Sequence, residues 1–265
     1  MSIGTHIWLG AQTIADERAS GNDWPLTWAN GVVVGEFLSC RDGEVVDPSA
    51  LHPDAVGVHQ LDAFIGLVMR GGLLGYIWNS GWQPDEVAAV ERTLGRVGAL
   101  EHQAAFRAVV ARIDADQEER ELLLEWEVLP DTLGRDLSGL WTAEIEADLY
   151  DVLDLNEAFL ADHADLAIVP ETELRALLVE AEALPTRPHR PVRRYVAVVR
   201  EACAVAGLEL VGIQERDPSF CFEGEPRHSV AFLVSDGRRY RAVVLGEQAV
   251  LLDGDEQETM RFSAP

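Results

Sequence analysis

Apolar residues recur at three- and four-residue intervals through most of the first 180 positions, the spacing of one face of a helix. Val87, Val90, Leu94 and Val97 form such a stripe after Gln83-Pro84-Asp85-Glu86, where a proline and two acids suit a helix N-terminus. A second helix is predicted from about Glu101 to Ile113, with Ala105, Phe106, Val109, Val110 and Ile113 on one face. Leu122, Leu123, Trp126 and Leu129 then stand against Glu118, Glu119, Glu121, Glu125 and Glu127, which predicts a helix over 118–129. Trp141, Ile145, Leu149, Val152 and Phe159 keep the spacing, opposed by Glu144, Glu146, Asp148, Asp151 and Asp154. A last stripe, Leu174, Leu177, Leu178 and Ala181, faces Glu173 and Glu180. The polar faces of these helices are nearly all carboxylate.

The texture changes at Leu184-Pro-Thr-Arg-Pro-His-Arg-Pro191, where closely spaced prolines disfavour helix and predict an extended linker. Beyond it, residues 193–206 return to helical spacing and end at Gly207, a suitable C-cap. The apolar runs 208–213, 229–234, 240–245 and 249–252 read as short strands, with Asp236-Gly237 as the turn of a hairpin. The expected fold is α+β: an all-helical N-terminal domain over residues 1–186, then a small domain over 187–265 with one helix on an antiparallel sheet. No repeat period and no low-complexity segment interrupts this order.

Composition changes the picture only through charge. With 265 residues, 48% apolar and 25% charged, the chain is an ordinary globular one with enough length for a large core. Yet 46 acids stand against 21 bases, every base is arginine, and the formal net charge is -25. The imbalance is local: residues 1–186 hold 34 acids and 10 arginines, whereas residues 187–265 hold 12 and 11. Residues 114–182 alone carry 21 acids and 3 arginines, and Arg187, Arg190, Arg193, Arg194 and Arg200 follow as a basic cluster. Direct nucleic-acid binding is disfavoured, because affinity for phosphates comes from cationic side chains that release counterions. No uninterrupted apolar run reaches membrane-spanning length, and Met1-Ser-Ile-Gly-Thr-His-Ile-Trp-Leu-Gly10 lacks the basic flank and apolar core of a leader. A cytoplasmic protein with no membrane contact is expected. Cys40, Cys203 and Cys221 are scattered and odd in number, so neither a disulfide framework nor a zinc site is predicted.

Motifs of catalysis are absent: GxSxG, Walker A, HExxH and GxGxxG do not occur. Gly71-Gly72-Leu73-Leu74-Gly75 lacks the Lys-Ser/Thr that grips a phosphate. His52, Asp54 and His59 match no metal spacing and read as solvated loop residues. Asp253-Gly-Asp255-Glu256 reads as an acidic turn, not a calcium loop. Cys40 has no identifiable base and reads as packing. In a chain this acidic, two neighbouring carboxylates say nothing of glycosidase chemistry. No catalytic residue, cofactor or metal is predicted.

One stretch is more specific. Residues 67–80, Leu-Val-Met-Arg-Gly-Gly-Leu-Leu-Gly-Tyr-Ile-Trp-Asn-Ser, resemble the signature of the bacterial DNA-mimic protein family: Gly71, Gly72, Tyr76, Asn79 and Ser80 match it. Met69-Arg70 stands in place of the signature's Asn-Asn, and Leu73 in place of an aromatic. Arg96-Val97-Gly98-Ala99 falls where a later turn belongs, and Leu153 to Phe159 resembles the closing helix, so the likeness covers residues 55–170. The resemblance implies an all-helical, often dimeric domain that presents carboxylates in place of DNA phosphates. The motif residues themselves read as structural: Gly71 and Gly72 permit a positive-φ turn, and Asn79-Ser80 tie the loop before Pro84.

Charge spacing makes mimicry physically reasonable. B-DNA carries one charge per about 1.7 Å of axis, and a helix rises about 1.5 Å per residue, so two or three adjacent acidic helices approach that density. The candidate partner-binding residues are Asp114, Asp116, Glu118, Glu119, Glu121, Glu125, Glu144, Asp148 and Asp151. The expected function is a non-enzymatic binding protein that docks on a basic protein, such as a DNA-binding protein or nuclease, and excludes its DNA. A toxin-blocking immunity or antitoxin protein is the alternative, and an enzyme using His52, His59 or Tyr76 is a third class. A plain solubilising surface is the bland explanation of the same acids. Arginines of the linker, or Arg238, Arg239 and Arg241 after the hairpin turn, would weaken mimicry if they fold onto the acids.

Overall fold

A computed structural model describes residues 3–38, 44–188 and 192–265. Cys40, and His189, Arg190 and Pro191 of the expected linker, lie outside them. The chain divides into two compact units: Met1–Ala111 with Leu137–Arg190, and Arg112–Asp136 with Pro191–Pro265. The class is α+β, with helices first and an antiparallel sheet last, as the patterning predicts.

The first unit is helical but not wholly so. Strand β1 (Ile7–Gly10) runs parallel to β3 (Leu166–Val169), Ile7 opposite Leu166, and β1 is buried along its whole length. A second pair joins β2 (Glu44–Val46) to β4 (Thr186–Pro188). The stretch expected to be an extended linker is therefore extended, and its start is paired as a strand; proline is tolerated there because the strand is an edge. Helices α1 (Ala11–Ser20), α2 (Pro25–Phe37), α3 (Pro53–Ser80), α4 (Pro84–Arg96) and α5 (Leu100–Asp114) follow β1 in order. After the excursion into the second unit come α7 (Asp131–Leu140), α8 (Ala143–Ala147), α9 (Leu149–Ala161) and α10 (Glu171–Glu180). Two of the three boundaries between the units fall inside α5 and α7.

The core of this unit is built around β1 and α3. Ile7, Leu9, Ala29, Val33, Val58 and Leu160 make one buried cluster. Phe64 sits edge-on to Tyr76, Phe106 and Trp141 at 4.8, 5.1 and 5.5 Å, the favoured aromatic geometry. Helix α3 is long and apolar enough, by length and composition, to cross a membrane, with a window of mean hydropathy 1.3. It is broken, however, at Gly71 and Gly72, where Gly72 has φ +65° and ψ -176°, and it buries Val58, Leu61, Phe64, Ile65 and Val68 in the unit's core.

The second unit gathers a five-stranded antiparallel meander, β5 (Leu210–Phe222), β6 (Glu225–Val234), β7 (Arg239–Leu245), β8 (Gln248–Leu252) and β9 (Glu258–Ser263), in spatial order β5-β6-β7-β8-β9. Helix α11 (Arg194–Ala206) ends at Gly207 in the left-handed region and buries Val198, Val199 and Ala202 against Val230, Phe232, Ala242 and Leu251. Helix α6 (Gln117–Glu125) also belongs here, not to the helical domain of the sequence reading, because Trp126 and Val128 join the same core. It stops four residues short of the predicted Leu129: Trp126 caps it and Glu127 turns to φ +51°. The charge is redistributed accordingly. The first unit has 25 acids and 9 arginines, the second 21 and 12, so the C-terminal unit is acidic too.

Candidate functional site

Glu144, Asp148, Asp151, Asp154 and Asp162 are exposed on α8, on α9 and at their caps. Thr142 caps α8, its hydroxyl accepting from the Ile145 N–H, and Glu144 follows in the first turn. A backbone N–H and the Thr142 hydroxyl hold the Glu144 carboxyl below its ordinary range. Asp148 separates the two helices, and Asp151 lies in the first turn of α9, where a negative charge complements the helix dipole. Leu149, Val152, Leu153, Asn156 and Leu160 are the buried face of α9, which turns Asp151, Asp154 and Asp162 outward. Glu144, Asp148 and Asp151 are exposed, and among the described residues no ion pair reaches them.

Two contacts fix this edge. Glu157 accepts from the Leu26 and Thr27 N–H groups at 2.9 and 2.8 Å, capping α2 from α9. Trp24 stacks on Tyr150 at 5.9 Å and donates its indole N–H to Asp154 at 2.8 Å. Tyr150 remains 55% exposed among the acids. Neither aromatic was evident from the sequence, because the two belong to distant segments.

The other six predicted acids lie in the second unit, and most are already engaged. Asp116 is the N-cap of α6, accepting from Glu118 and Glu119 N–H. Asp114 is 3.1 Å from Arg120, Glu119 is 2.7 Å from Arg112, and Glu121 is 2.7 Å from Arg194. Glu125 accepts from the Arg194 backbone N–H at 3.2 Å. Of the six, only Glu118 has a carboxylate that meets neither a hydrogen-bond donor nor an arginine among the described residues. The nine acids are thus divided six and three between units instead of sharing one.

The remaining candidates are structural. Gly72 supplies the positive φ, Asn79 Nδ2 donates to the Gly75 carbonyl, and Ser80 Oγ accepts from the Trp82 N–H. Tyr76 is a core aromatic, 1% exposed. His52 is not solvated: it caps α3, its Nδ1 accepting from the Asp54 N–H at 3.2 Å, and its ring packs edge-on to His163 at 5.4 Å. Asp54 is likewise buried, meeting His163 Nε2 at 3.0 Å and pairing with Arg96. His163 Nδ1 accepts from the Asp165 N–H, and His52 Nε2 is 3.5 Å from Asp165. Every ring nitrogen of this pair is engaged, so the cluster ties the start of α3 to the end of α9. His59 stands apart on α3, where burial lowers its pKa. Among the described residues no group of three or more His, Cys, Asp and Glu is arranged to hold a metal ion.

Asp253 forms the expected turn, accepting from the Asp255 and Gln257 N–H groups. Arg238 pairs with Asp236, while Arg239 and Arg241 share Glu215, all within the C-terminal unit. Cys203 is buried and Cys221 exposed, both as free thiols.

Residues 49–163 match the family model of the DMP19-like protein, within a few residues of the span over which the sequence carries its resemblance. No curated protein and no solved structure matches the chain.

Proposed function

From a chain whose residues 49–163 form a DMP19-like segment, we propose a non-enzymatic cytoplasmic protein that offers the carboxylates of α8 and α9 to a basic protein in place of DNA. The observation that carries this reading is that Glu144, Asp148 and Asp151 are exposed, lie inside the matched segment, and have no arginine partner among the described residues. Along α9 and its cap, Asp148, Asp151 and Asp154 follow one another at about 4.5 Å of helix rise, against about 3.4 Å of axis per phosphate on one DNA strand. A cationic surface shaped for phosphates therefore meets a comparable row of charges. The partner is a DNA-binding protein or a nuclease, and the homodimer implied by the resemblance is part of the same proposal.

The test is competition. A labelled duplex bound to an arginine-rich peptide is titrated with the full chain, and displacement is followed by anisotropy at several salt concentrations. Displacement that weakens steeply with salt is expected, as is its loss in the variant Glu144→Lys/Asp148→Lys/Asp151→Lys. Unchanged displacement by that variant overturns the reading.

A further inference from the structure

Among the described residues, four arginines lie over aromatic rings, and each also pairs with a carboxylate of its own unit. Arg96 stands 5.4 Å from the Phe159 ring and pairs with Asp54, and Arg216 stands 5.1 Å from Tyr195 and pairs with Glu127. Arg238 lies over Tyr240 at 5.5 Å beside Asp236, and Arg241 over Phe220 at 4.5 Å beside Glu215. The recurring arrangement is a ring, a carboxylate and a guanidinium: the ring face attracts the cation while the carboxylate takes its N–H groups.

Tyr150 and Asp154 are a ring and a carboxylate of the same kind, one turn apart on α9, the spacing at which helical side chains meet. Trp24 stacks on Tyr150 with 26° between the ring planes and donates its indole N–H to Asp154 Oδ1, which holds both side chains. Tyr150 is nevertheless 55% exposed, and among the described residues no arginine lies over its ring or pairs with Asp154. All three residues belong to the first unit. Carboxylates alone attract lysine and arginine as charges; a ring beside them favours the planar, weakly hydrated guanidinium.

We propose that Tyr150 and Asp154 are an arginine-selective contact on the acidic edge of α8 and α9. A guanidinium of the basic partner lies over the exposed Tyr150 ring and donates to Asp154 Oδ2, the oxygen that the Trp24 indole leaves free. The proposal rests on the reading that the carboxylates of α8 and α9 face a basic protein, and it adds which cation that protein presents. Imitation of phosphates needs charge alone; the aromatic pair gives this edge a preference that a row of charges lacks. Trp24 is the positioning residue, ordering ring and carboxylate before the partner arrives, so that less freedom is lost on binding.

The full chain and its variants are titrated with fluorescent nona-arginine and nona-lysine peptides at one salt concentration, with circular dichroism as the check on folding. The ratio of the two dissociation constants is the readout. Tyr150→Leu is expected to lower the parent's preference for nona-arginine about two- to fivefold, as loss of one exposed cation–π contact implies, while Tyr150→Phe keeps it. Trp28→Leu removes a ring on α2 that is 52% exposed and makes no ring contact among the described residues, and it should leave the ratio unchanged. An unchanged ratio in Tyr150→Leu, or an equal fall in Trp28→Leu, overturns the proposal. If Tyr150→Leu is unfolded, the Tyr150 ring-proton resonances of the parent chain decide instead: they shift with nona-arginine and not with nona-lysine, and equal shifts overturn it. Failure of the α8–α9 reading looks different: Glu144→Lys/Asp148→Lys/Asp151→Lys then binds both peptides as the parent does, and the arginine contact falls with it.

Discussion

Gly72, at φ +65° and ψ -176°, occupies a region that a side chain enters only under strain. A Cβ there would meet nothing within 4 Å, so the penalty for Gly72→Ala comes from backbone alone. The substitution should cost about 1–3 kcal/mol in denaturant unfolding, while Gly71→Ala, at φ -143°, should cost far less. That the glycine pair marks a turn was legible from the motif; that it breaks one long apolar helix was not. Asp62 on α3 is a second informative residue, its carboxyl raised to about 6 by burial, with Arg70 partly opposing the shift. Because the folded pKa lies above the ordinary value, the folded state binds the extra proton between about pH 4 and 6. Stability from this group is therefore full at low pH and lost as pH rises through 6, a loss of about 3 kcal/mol by pH 7. Asp62→Asn should flatten that part of the stability–pH curve and stabilise the protein at pH 7; a curve unchanged between pH 4 and 7 would contradict it.

At the scale of elements, α4, α5, α10 and α11 were legible because each carries an apolar stripe between recognisable ends, such as Pro84 at a start and Gly207 at a stop. The pairing of β1 with β3 was not, since its strands come from opposite ends of the unit and their four-residue apolar runs carry no period that distinguishes strand from buried helix. Strand β9 escaped for a related reason: Met260 and Phe262 are its only apolar residues. The most consequential misreading is α6, whose spacing is that of its neighbours but whose anchor, Trp126, is buried in the other core. Spacing tells which face of a helix is apolar, not which core receives it. Trp126→Ala should cost about 3–5 kcal/mol. The loss is expected in the unfolding of the C-terminal unit, read by hydrogen exchange in β6 and β7, with little change in β1; uniform loss across both units would refute the assignment of α6.

For the whole molecule, the sequence supplied the total of -25 and the structure supplied its disposition. Asp116 and Asp148 are caps and the other candidate acids lie on helices, yet their availability could not be read from spacing, because Arg112 and Arg194 reach Glu119 and Glu121 from other helices. Arginines beyond the linker do fold onto the acids of α6, as the sequence allowed, and they leave Glu144, Asp148 and Asp151 untouched. The acidic surface of the proposed mimicry is accordingly smaller than the row of nine residues and lies on α8 and α9. The direct test is the salt-dependent displacement of duplex DNA from an arginine-rich peptide, compared between the parent chain and Glu144→Lys/Asp148→Lys/Asp151→Lys. The account predicts displacement by the parent and none by the variant; equal displacement by both would contradict it.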